Sequence, residues 1–578
     1  MTDHPIRLGP VTPEPAPADS VPTETNAVLQ KCGWTLVWLG ILTSGLGMWS
    51  AWSSWPGAAA IAPLLVFGGF VGMAAVWLVT SPVSRVMQWI GLATALLAVG
   101  APQAVGIHVR QYYTTDSAAF NQVAARILLQ GRNPYASSMA SASNLLNPPS
   151  HFWTYTVDGG HVTQVSYPAA SFLLQIPAMA LGFHHEIADW TDLGAWLVTG
   201  VLLFVLVPAS LRWLSVLVLL ASVFVGMFSN GGTDALYLPF LVVAVWRWDR
   251  FGTGRAAGIA GWIGPLSLGL ACAIKQSPWF CVPFLVVGLG LEARCLGQSP
   301  WRIPARYLAI VAAVFAVCNL PFIIWGPRAW AHGTLLPFTE PLVADGQGVV
   351  TLALHGLTGG VVLTLLSVAG ALAYVALMAA FVLWYPRMKV VWLLLLPAVL
   401  FVPGRSLASY LVDFFPAALV AALTVAVPAH VTPETGGTRR RWPARVAVVV
   451  PAAAAAAAAV VAFTSAPLQL SVDGFRTSHA TQRLLAVTVT VHNLTGHAVT
   501  PHFMVAIGSD HPYGFWSPSS GNGPMVLGPR AMATVTLHPT TYTWAPSHGG
   551  YWLVEAYTSS PNALSTSPLQ FWTLGRAQ

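Results

Sequence analysis

The sequence predicts a polytopic α-helical membrane protein that carries a C-terminal β-sandwich domain outside the membrane. Of the 578 residues, 55% are hydrophobic and only 8% are charged, and the mean hydropathy is +0.64. Soluble domains carry about 25% charged residues, so this composition favours a membrane protein. Apolar runs of roughly 20 residues, long enough to cross a bilayer as helices, recur along most of the chain. After about residue 465 the runs become short and alternating, which indicates strands.

The membrane domain is expected to span residues 34–463. Residues 1–33 before it are polar and rich in Pro, Thr and Glu, which predicts a disordered cytoplasmic tail and not a signal peptide. About thirteen transmembrane helices are predicted, over residues 34–50, 57–80, 86–107, 193–209, 211–229, 234–248, 256–274, 278–291, 305–324, 360–384, 389–404, 408–427 and 445–463.

A further apolar segment, 168–183, is short and contains Pro168 and Pro177, so we expect a re-entrant or interfacial helix there. The distribution of basic residues supports thirteen spans. With a cytoplasmic N-terminus, sixteen of the 26 Lys and Arg residues lie on the cytoplasmic side, as the positive-inside rule requires. A span at 168–183 would move the Arg439–Arg441 cluster to the outside.

This orientation places the loops 108–192 and 325–357 on the extracytoplasmic face of a plasma membrane. The net charge of +7 is then explained by membrane orientation, and no nucleic-acid partner is expected. The five cysteines have no metal-ligand spacing to each other or to histidine.

The C-terminal segment 464–578 is expected to form an extracytoplasmic β-sandwich of immunoglobulin-like size. Phe515 and Trp516, in a loop rich in Gly and Pro, are the aromatic residues best placed to stack on sugar rings. The aromatic residues on strands are expected in the sandwich core. The alternating runs that predict its strands are 484–494, 502–508, 532–539 and 551–557.

Polar residues at the extracytoplasmic ends of the spans are the candidates for function, because polar groups near a membrane are costly and often functional. They come from separate loops that open on one face. They are Asp116, Arg132, His151, His161, Tyr167, Asn230, Asp234, Lys275, Gln276, Arg328, His332, Glu340, Asp345, His355, Arg405, Tyr410 and Asp413.

Asp116 stands just after the third apolar run and opens an amphipathic stretch that ends at Gly131-Arg132-Asn133-Pro134. A helix here is expected to lie on the membrane surface with its apolar side down. Asp116 has two interpretations that the sequence leaves open, a catalytic carboxylate or a helix N-cap. The apolar stripe consists of Phe120, Val123, Ala124, Ile127 and Leu128.

Two extracytoplasmic cations lie between spans and could bind a phosphate. Lys275 could instead extend its charged end into water, although a lysine at an outer helix end goes against the positive-inside bias. Arg405 suits a phosphate by its forked donors, and its alternative is a salt bridge to Asp413. His332, Glu340 and Asp345 lie in the loop 325–357, where solvent exposure is the default expectation.

The order of these features resembles the GT-C glycosyltransferases over roughly residues 86–428. A first large outer loop with an early Asp is followed by a helix ending in GRNPY and by SYPA opening an interfacial segment. Further similarities are SNGGTDALYLPFLVVAVW, LACAIKQSPWFCVPF and GRSLASYLVDFFP. The likeness is greatest to integral membrane enzymes that use polyprenyl-phosphate mannose or arabinofuranose.

This resemblance implies transfer of a monosaccharide from a polyprenyl-phosphate donor to an extracytoplasmic glycan, glycolipid or protein. It implies Asp116 as the general base, which deprotonates the acceptor hydroxyl. Lys275, Arg405 and His332 would bind the donor phosphate. The residues expected to contact substrate are Tyr113, Arg132, Tyr167, Asp234, Gln276 and Tyr410.

One departure from the family pattern leaves the need for a metal ion open. Many members carry paired acidic residues in the first loop, whereas Asp116 follows Thr114 and Thr115. Dependence on a divalent cation, Mg²⁺ or Mn²⁺, is therefore open, and no other cofactor is expected. The alternative function is a secondary transporter or flippase of a lipid-linked sugar, which would hold charges near the bilayer midplane.

Overall fold

The computed structural model of the chain describes residues 23–78, 83–147, 152–228, 233–252, 260–425, 438–478, 483–507, 514–519, 525–540, 546 and 550–571. Two candidates, His151 and Asn230, and residues 1–22 of the predicted tail lie outside these ranges. The first helix begins at Thr23, earlier than the predicted 34. The α-helices are Thr23–Trp52, Pro56–Leu78, Arg85–Arg110, Asp116–Leu129, Ala170–Leu173, Ile176–Ala180, Ile187–Leu206, Arg212–Leu220, Ser222–Phe228, Asp234–Val245, Ala260–Ile274, Cys281–Cys295, Arg302–Trp325, Pro327–Thr339, Thr351–Leu354, Leu363–Leu383, Tyr385–Leu400, Ala408–Val412, Phe415–Thr424 and Thr438–Thr464.

Eight helices of the described residues are long and apolar enough to cross a membrane. Many of their large side chains face outward; Val317 and Ile324, for example, are 77% and 74% exposed. Soluble proteins rarely expose broad apolar surfaces, so these faces fit a membrane protein, as predicted. The eight are Asn26–Trp52, Pro56–Leu78, Arg85–Arg110, Ile187–Leu206, Ser277–Cys295, Arg302–Trp325, Leu363–Leu383 and Arg445–Thr464, and they coincide with eight of the thirteen predicted spans.

The other predicted spans are short or interrupted. Residues 211–229 form two helices, Arg212–Leu220 and Ser222–Phe228, and the helix Asp234–Val245 has 12 residues. Twelve residues extend about 18 Å, less than the roughly 30 Å hydrocarbon core. The segment 168–183 forms helices of only four and five residues, which by themselves cannot cross a bilayer.

The helix Asp116–Leu129 packs inside protein on nearly all sides. Phe120, Val123 and Ile127 belong to a buried core that also contains Phe172 and Leu336. The expectation that this apolar stripe faces the membrane is therefore wrong, because the connection that follows the helix folds over it and covers the stripe. The helix is held as rigidly as a core element, which suits a residue that must be positioned accurately.

The β-structure consists of a two-stranded pair and a nine-stranded sheet. The strands are β1 Asp345–Gly346, β2 Gly360–Val362, β3 Arg405–Ser406, β4 Leu468–Thr477, β5 Leu484–Asn493, β6 His502–Ala506, β7 Phe515–Pro518, β8 Met532–Pro539, β9 Tyr551–Ser559, β10 Asn562–Thr566 and β11 Gln570–Phe571. All four strands predicted from alternation are present, and the order of the larger sheet is β2-β10-β9-β6-β7-β8-β5-β4, with β11 beside β9.

The nine-stranded sheet curls around one core. Strand β4 lies at one end of the order yet contacts β9 and β10 near the other end. The N–H of Leu468 in β4 donates a 3.2 Å hydrogen bond to Ser565 Oγ in β10. Trp552 and Val487 are fully buried inside this curl. Alternating residues of each strand point into this core, which is why the period-2 pattern identified the strands.

The sheet is continuous with the helical part of the chain. Strand β2, which lies just before the helix Leu363–Leu383, pairs antiparallel with β10, and Val361 is opposite Leu564. A separate buried core at this junction joins Val343 and Leu354 to Met504 and Tyr557. The C-terminal domain is therefore docked on the helical part through both backbone pairing and a shared apolar core.

Candidate active site

Asp116 is the first residue of its helix and is not the helix cap. The cap is Thr115, whose side-chain oxygen accepts a 3.3 Å hydrogen bond from the N–H of Ala118. The interpretation of Asp116 as an N-cap is therefore wrong. A carboxylate in the first turn is still favoured by the helix dipole. Its side chain is free of capping and available for another role.

The carboxylate of Asp116 is fixed from across the fold. The backbone N–H of Thr154 donates a 2.7 Å hydrogen bond to Asp116 Oδ2. Burial raises the pKa of Asp116 above its ordinary value of 3.8, although Thr154 and the charge of Arg405 oppose the rise. The residue as a whole is nevertheless partly exposed. A carboxylate with a raised pKa is suited to accept a proton.

Arg405 is positioned by the β1–β3 pair. Asp345 and Arg405 are direct partners in these parallel strands, and their side chains form an ion pair with an N···O distance of 3.5 Å. Gly346 has φ +106°, and a Cβ there would collide with the backbone of Ser406. Only glycine therefore allows the close approach that places Asp345 opposite Arg405. The expected salt bridge to Asp413 is replaced by this one.

The guanidinium of Arg405 is close to Asp116. Burial lowers the pKa of Arg405, but Asp345, Tyr410 and Asp116 together raise it more, so the group stays charged. The side chain is 23% exposed and that of Asp345 is 32% exposed. Arg405 is thus a reachable cation beside the carboxylate, with donors that a single carboxylate partner does not use up.

Two tyrosines link this pair to Lys275. The Lys275 ammonium lies 5.8 Å from the ring centre of Tyr167 and 5.2 Å from that of Tyr410, within the range of cation–π attraction. Both tyrosines also interact electrostatically with Asp116. Of the predicted site residues, the structure therefore brings Arg405, Tyr167 and Tyr410 near Asp116, and Lys275 lies on the other side of the two tyrosines.

Lys275 itself is buried and paired. It forms an ion pair with Asp234, and the carboxylates of Asp192 and Asp413 also interact with it. Asp413 in turn accepts a 2.7 Å hydrogen bond from the Tyr237 hydroxyl. We call these residues, Lys275, Asp234, Asp192 and Asp413, the Lys275 cluster. Its cation is surrounded by carboxylates, so it is less available to a phosphate than Arg405 is.

Asp192 and its neighbour Asp189 were missed by the sequence interpretation. They lie on the helix Ile187–Leu206, at exposed fractions of 1% and 3%. The signal was present, because two Asp residues three positions apart share one face at the start of an apolar run. The predicted span began at 193, which excluded both of them.

A short hairpin forms the wall next to Asp116. Its strands meet at Tyr155 and His161, and its Thr154 supplies the hydrogen bond to Asp116. The His161 ring lies 4.4 Å from the ring of Trp153, and Trp153 packs on Phe120. Burial lowers the pKa of His161, whereas the charge of Asp116 opposes this. An exposed imidazole and an aromatic surface thus border the carboxylate.

Tyr113 and Gln276 are structural in this conformation. Tyr113 is 2% exposed, donates a hydrogen bond to Gln122 and accepts one from the N–H of Ala188. The Gln276 amide donates to the carbonyls of Ser166 and Thr334 at 2.8 and 2.7 Å. Both side chains tie segments together around the site and show little surface to a ligand.

Arg132 and His332 lie away from Asp116. Arg132 follows the far end of the 14-residue helix, which puts it about 20 Å along the helix axis from Asp116. It is exposed and donates a 2.7 Å hydrogen bond to Gln130. His332 is exposed on the helix Pro327–Thr339, and no hydrogen bond or ion pair within the described ranges involves it.

The prediction that Phe515 and Trp516 lie in a loop is wrong. Both are in strand β7, and Trp516 is 3% exposed within the sheet core. Phe515 packs on Tyr155 and His502, with ring centres 5.5 and 6.0 Å apart. The surrounding Gly and Pro residues suggested a loop, but pairing with β6 and β8 imposes a strand.

In the part of the chain that the structure describes, no group of three or more His, Cys, Asp and Glu side chains is arranged to hold a metal ion. Comparison of the chain with protein-family models, with curated proteins and with solved structures gives no match. Function is therefore inferred from the residues of this chain.

Proposed function

We propose that the chain is a GT-C-like membrane glycosyltransferase that moves one monosaccharide from a polyprenyl-phosphate donor to an extracytoplasmic glycan, glycolipid or protein. The observation that carries this proposal is that the positive charge of Arg405 acts on the carboxylate of Asp116. A carboxylate with a raised pKa, on a partly exposed residue, stands beside a charged guanidinium that is accessible. Sugar transfer from a phosphate needs a base for the acceptor and a cation for the leaving group.

In this mechanism the acceptor hydroxyl oxygen attacks the anomeric carbon of the donor sugar. The bond between that carbon and the phosphate oxygen breaks, and the polyprenyl phosphate leaves with the electron pair. Asp116 takes the proton of the hydroxyl as the new glycosidic bond forms. Arg405 stabilises the charge that develops on the departing phosphate, which its forked donors suit.

The other predicted site residues would contribute to the reaction to different degrees. Tyr167 and Tyr410 lie beside both Asp116 and Lys275 and would line the substrate space. Lys275 and Asp234 would act through the local field, because they are already paired. Tyr113 and Gln276 would support the walls. Arg132 and His332 would take part only if the substrate extended beyond the immediate surroundings of Asp116.

The location of the site agrees with a lipid-bound donor. Asp116 and Arg405 follow the predicted spans 86–107 and 389–404, so a prenyl chain in the bilayer could deliver its head group to them. We place the N-terminus in the cytoplasm and the site and C-terminal domain outside the plasma membrane, on the distribution of Lys and Arg. About thirteen spans and an immunoglobulin-like sandwich remain part of this proposal.

The Lys275 cluster favours a second candidate, a transporter or flippase of a lipid-linked sugar. Three carboxylates and one ammonium, all at most 6% exposed, lie at helix ends within the bundle. Buried ionisable groups of this kind often mark ion or proton pathways. The cluster lies at the ends of helices and not at their midpoints, which agrees better with the edge of a catalytic site.

One experiment separates the two candidates. Purified protein is reconstituted in proteoliposomes with radiolabelled polyprenyl-phosphate sugars and a membrane extract as acceptor source, with and without EDTA. Incorporation of label into glycan, glycolipid or protein supports the transferase. Movement of intact labelled lipid between leaflets without incorporation supports the flippase and contradicts the transferase. Loss of incorporation with EDTA, and its recovery with Mg²⁺ or Mn²⁺, would show a metal requirement.

A further inference from the structure

The C-terminal sheet reaches the ion pair beside Asp116. Strand β9 carries Tyr557, which is fully buried in the junction core together with Val343 and Ala344, the two residues that precede Asp345. Burial and Glu555 raise the pKa of Tyr557, the charge of Asp345 raises it further and that of Arg405 opposes the rise, so both charges of the pair act at this side chain. A side chain of the C-terminal domain thus lies within reach of the pair that the β1–β3 strands bring together.

Tyr557 is itself held by a neighbouring acid. Its hydroxyl donates a 2.8 Å hydrogen bond to Glu555 Oε2, and Glu555 is fully buried on the same strand. Two buried polar side chains cost stability unless their partners are well placed.

The backbone leaves this strand little freedom to move away. Strand β9 pairs with β10 over five residues, and β10 pairs with β2 of the helical part. In this register Tyr557 is opposite Leu564, and Leu564 is opposite Val361. Thr566 adds a 2.8 Å hydrogen bond from its hydroxyl to the carbonyl of Thr358.

From these contacts we infer that the C-terminal β-domain contributes to the site. Its Tyr557, which is hydrogen-bonded to Glu555, is a positioning residue for Asp345 and thereby for Arg405. Tyr557 acts on the guanidinium through Asp345 and through the packing of the segment that leads into β1. The domain therefore has a role in placing the cation next to Asp116, and glycan binding is not required to explain its presence. The use of that cation as a phosphate ligand rests on the proposed function, whereas its placement does not.

The inference is tested without any sugar substrate. Wild type, Tyr557→Phe, Tyr551→Phe and Asp345→Asn are compared in nanodiscs. Two quantities are measured by mass spectrometry, the rate at which phenylglyoxal modifies Arg405 and the amide hydrogen exchange of peptides that cover 343–348. Tyr551→Phe is the matched control, because Tyr551 lies on the same strand and its ring packs instead on His355 at 6.1 Å.

We expect Tyr557→Phe to raise both rates about fivefold, which corresponds to the loss of one ordinary hydrogen bond. Asp345→Asn should raise the modification rate of Arg405 at least as much, and Tyr551→Phe should change neither rate. Equal behaviour of Tyr557→Phe and Tyr551→Phe, with Asp345→Asn still raising the modification rate, would overturn the inference. A uniform rise in exchange over β5 and β8 would also overturn it, because that result indicates general loosening of the sheet.

Transfer activity then separates this inference from the proposed function. If wild type transfers sugar, Tyr557→Phe should raise the KM for the polyprenyl-phosphate donor more than it lowers kcat, since the displaced cation belongs to the donor site. A fall in kcat alone would contradict the positioning role. If wild type transfers no sugar, the proposed function fails, while the modification and exchange results still decide where Arg405 is held.

Discussion

The backbone N–H of Thr154 donates a 2.7 Å hydrogen bond to the carboxylate of Asp116, 38 residues earlier in the chain. This bond joins the first turn of a buried helix to the hairpin that packs over it. The charge of Arg405 acts on the same carboxylate.

Replacement of Asp116 by Asn should abolish sugar transfer while the protein stays folded. General base catalysis contributes about 10²- to 10⁴-fold, so kcat should fall by about that factor. Transfer of radiolabelled sugar in proteoliposomes measures the effect. Asp473→Asn, at an exposed carboxylate on β4, is the control and should keep wild-type activity. An active Asp116→Asn protein would assign Asp116 a structural role only.

The same substitution should stabilise the fold at neutral pH. The pKa of Asp116 is raised in the folded protein, so ionisation is less favourable there than in the unfolded chain. Wild type is therefore most stable when Asp116 is protonated, and it loses that stability as the pH rises through the raised pKa. Asn has no charge to bury at any pH.

The expected signature is a Tm difference between Asp116→Asn and wild type that depends on pH. The variant should melt higher near about pH 7, and the gap should close towards about pH 4, where an ordinary Asp protonates. Thermal unfolding in detergent measures both. A gap that widens at low pH would show that the folded carboxylate is stabilised by its charge, contrary to the sign argued here.

Arg405 and Arg132, both predicted from the sequence as substrate ligands, should behave differently. Arg405→Gln should lower kcat/KM for the donor by about 10- to 100-fold, the value of a hydrogen bond to a charged group. The kcat/KM of Arg405→Lys should lie between those of Arg405→Gln and wild type, because lysine restores the charge but not the forked geometry. The kcat/KM of Arg132→Gln should stay within about twofold of the wild-type value, since Arg132 is about 20 Å along the helix from Asp116. Equal losses at the two positions would contradict the site as described.

Lys275 should matter for stability more than for donor binding. Lys275→Met leaves Asp234, Asp192 and Asp413 buried without their cation, and breaking a buried pair in this way costs about 3–5 kcal/mol. The Tm should fall strongly, and the double variant with Asp234→Asn should recover part of the loss.

Arg302→Gln is the matched control for Lys275, because Arg302 is an exposed cation at the start of a membrane helix. It should change the free energy of unfolding by less than about 0.5 kcal/mol. Thermal unfolding measures all four proteins. Failure of Asp234→Asn to recover any stability would show that the two residues do not act as a pair.

Several features follow from the sequence alone. The eight long helices and the strands β5, β6, β8 and β9 were all predicted, because apolar runs and alternation report local burial directly. The helix that begins at Asp116 was also predicted, because an amphipathic stretch follows Asp116 and the stop signals Gly131 and Pro134 mark its end. These signals come from residues close together in the chain.

The tertiary structure decided the partners. The sequence allowed Arg405 to pair with Asp413, but the β1–β3 pair places Asp345 opposite it. Lys275 meets Asp234, 41 residues earlier, and the hairpin and the C-terminal domain close over the site from still greater separations. No local period records such contacts, because an ion pair depends on the distance between groups and on the water removed around them. The class of protein was therefore readable from the chain, whereas the cation beside Asp116 was identified only by the fold.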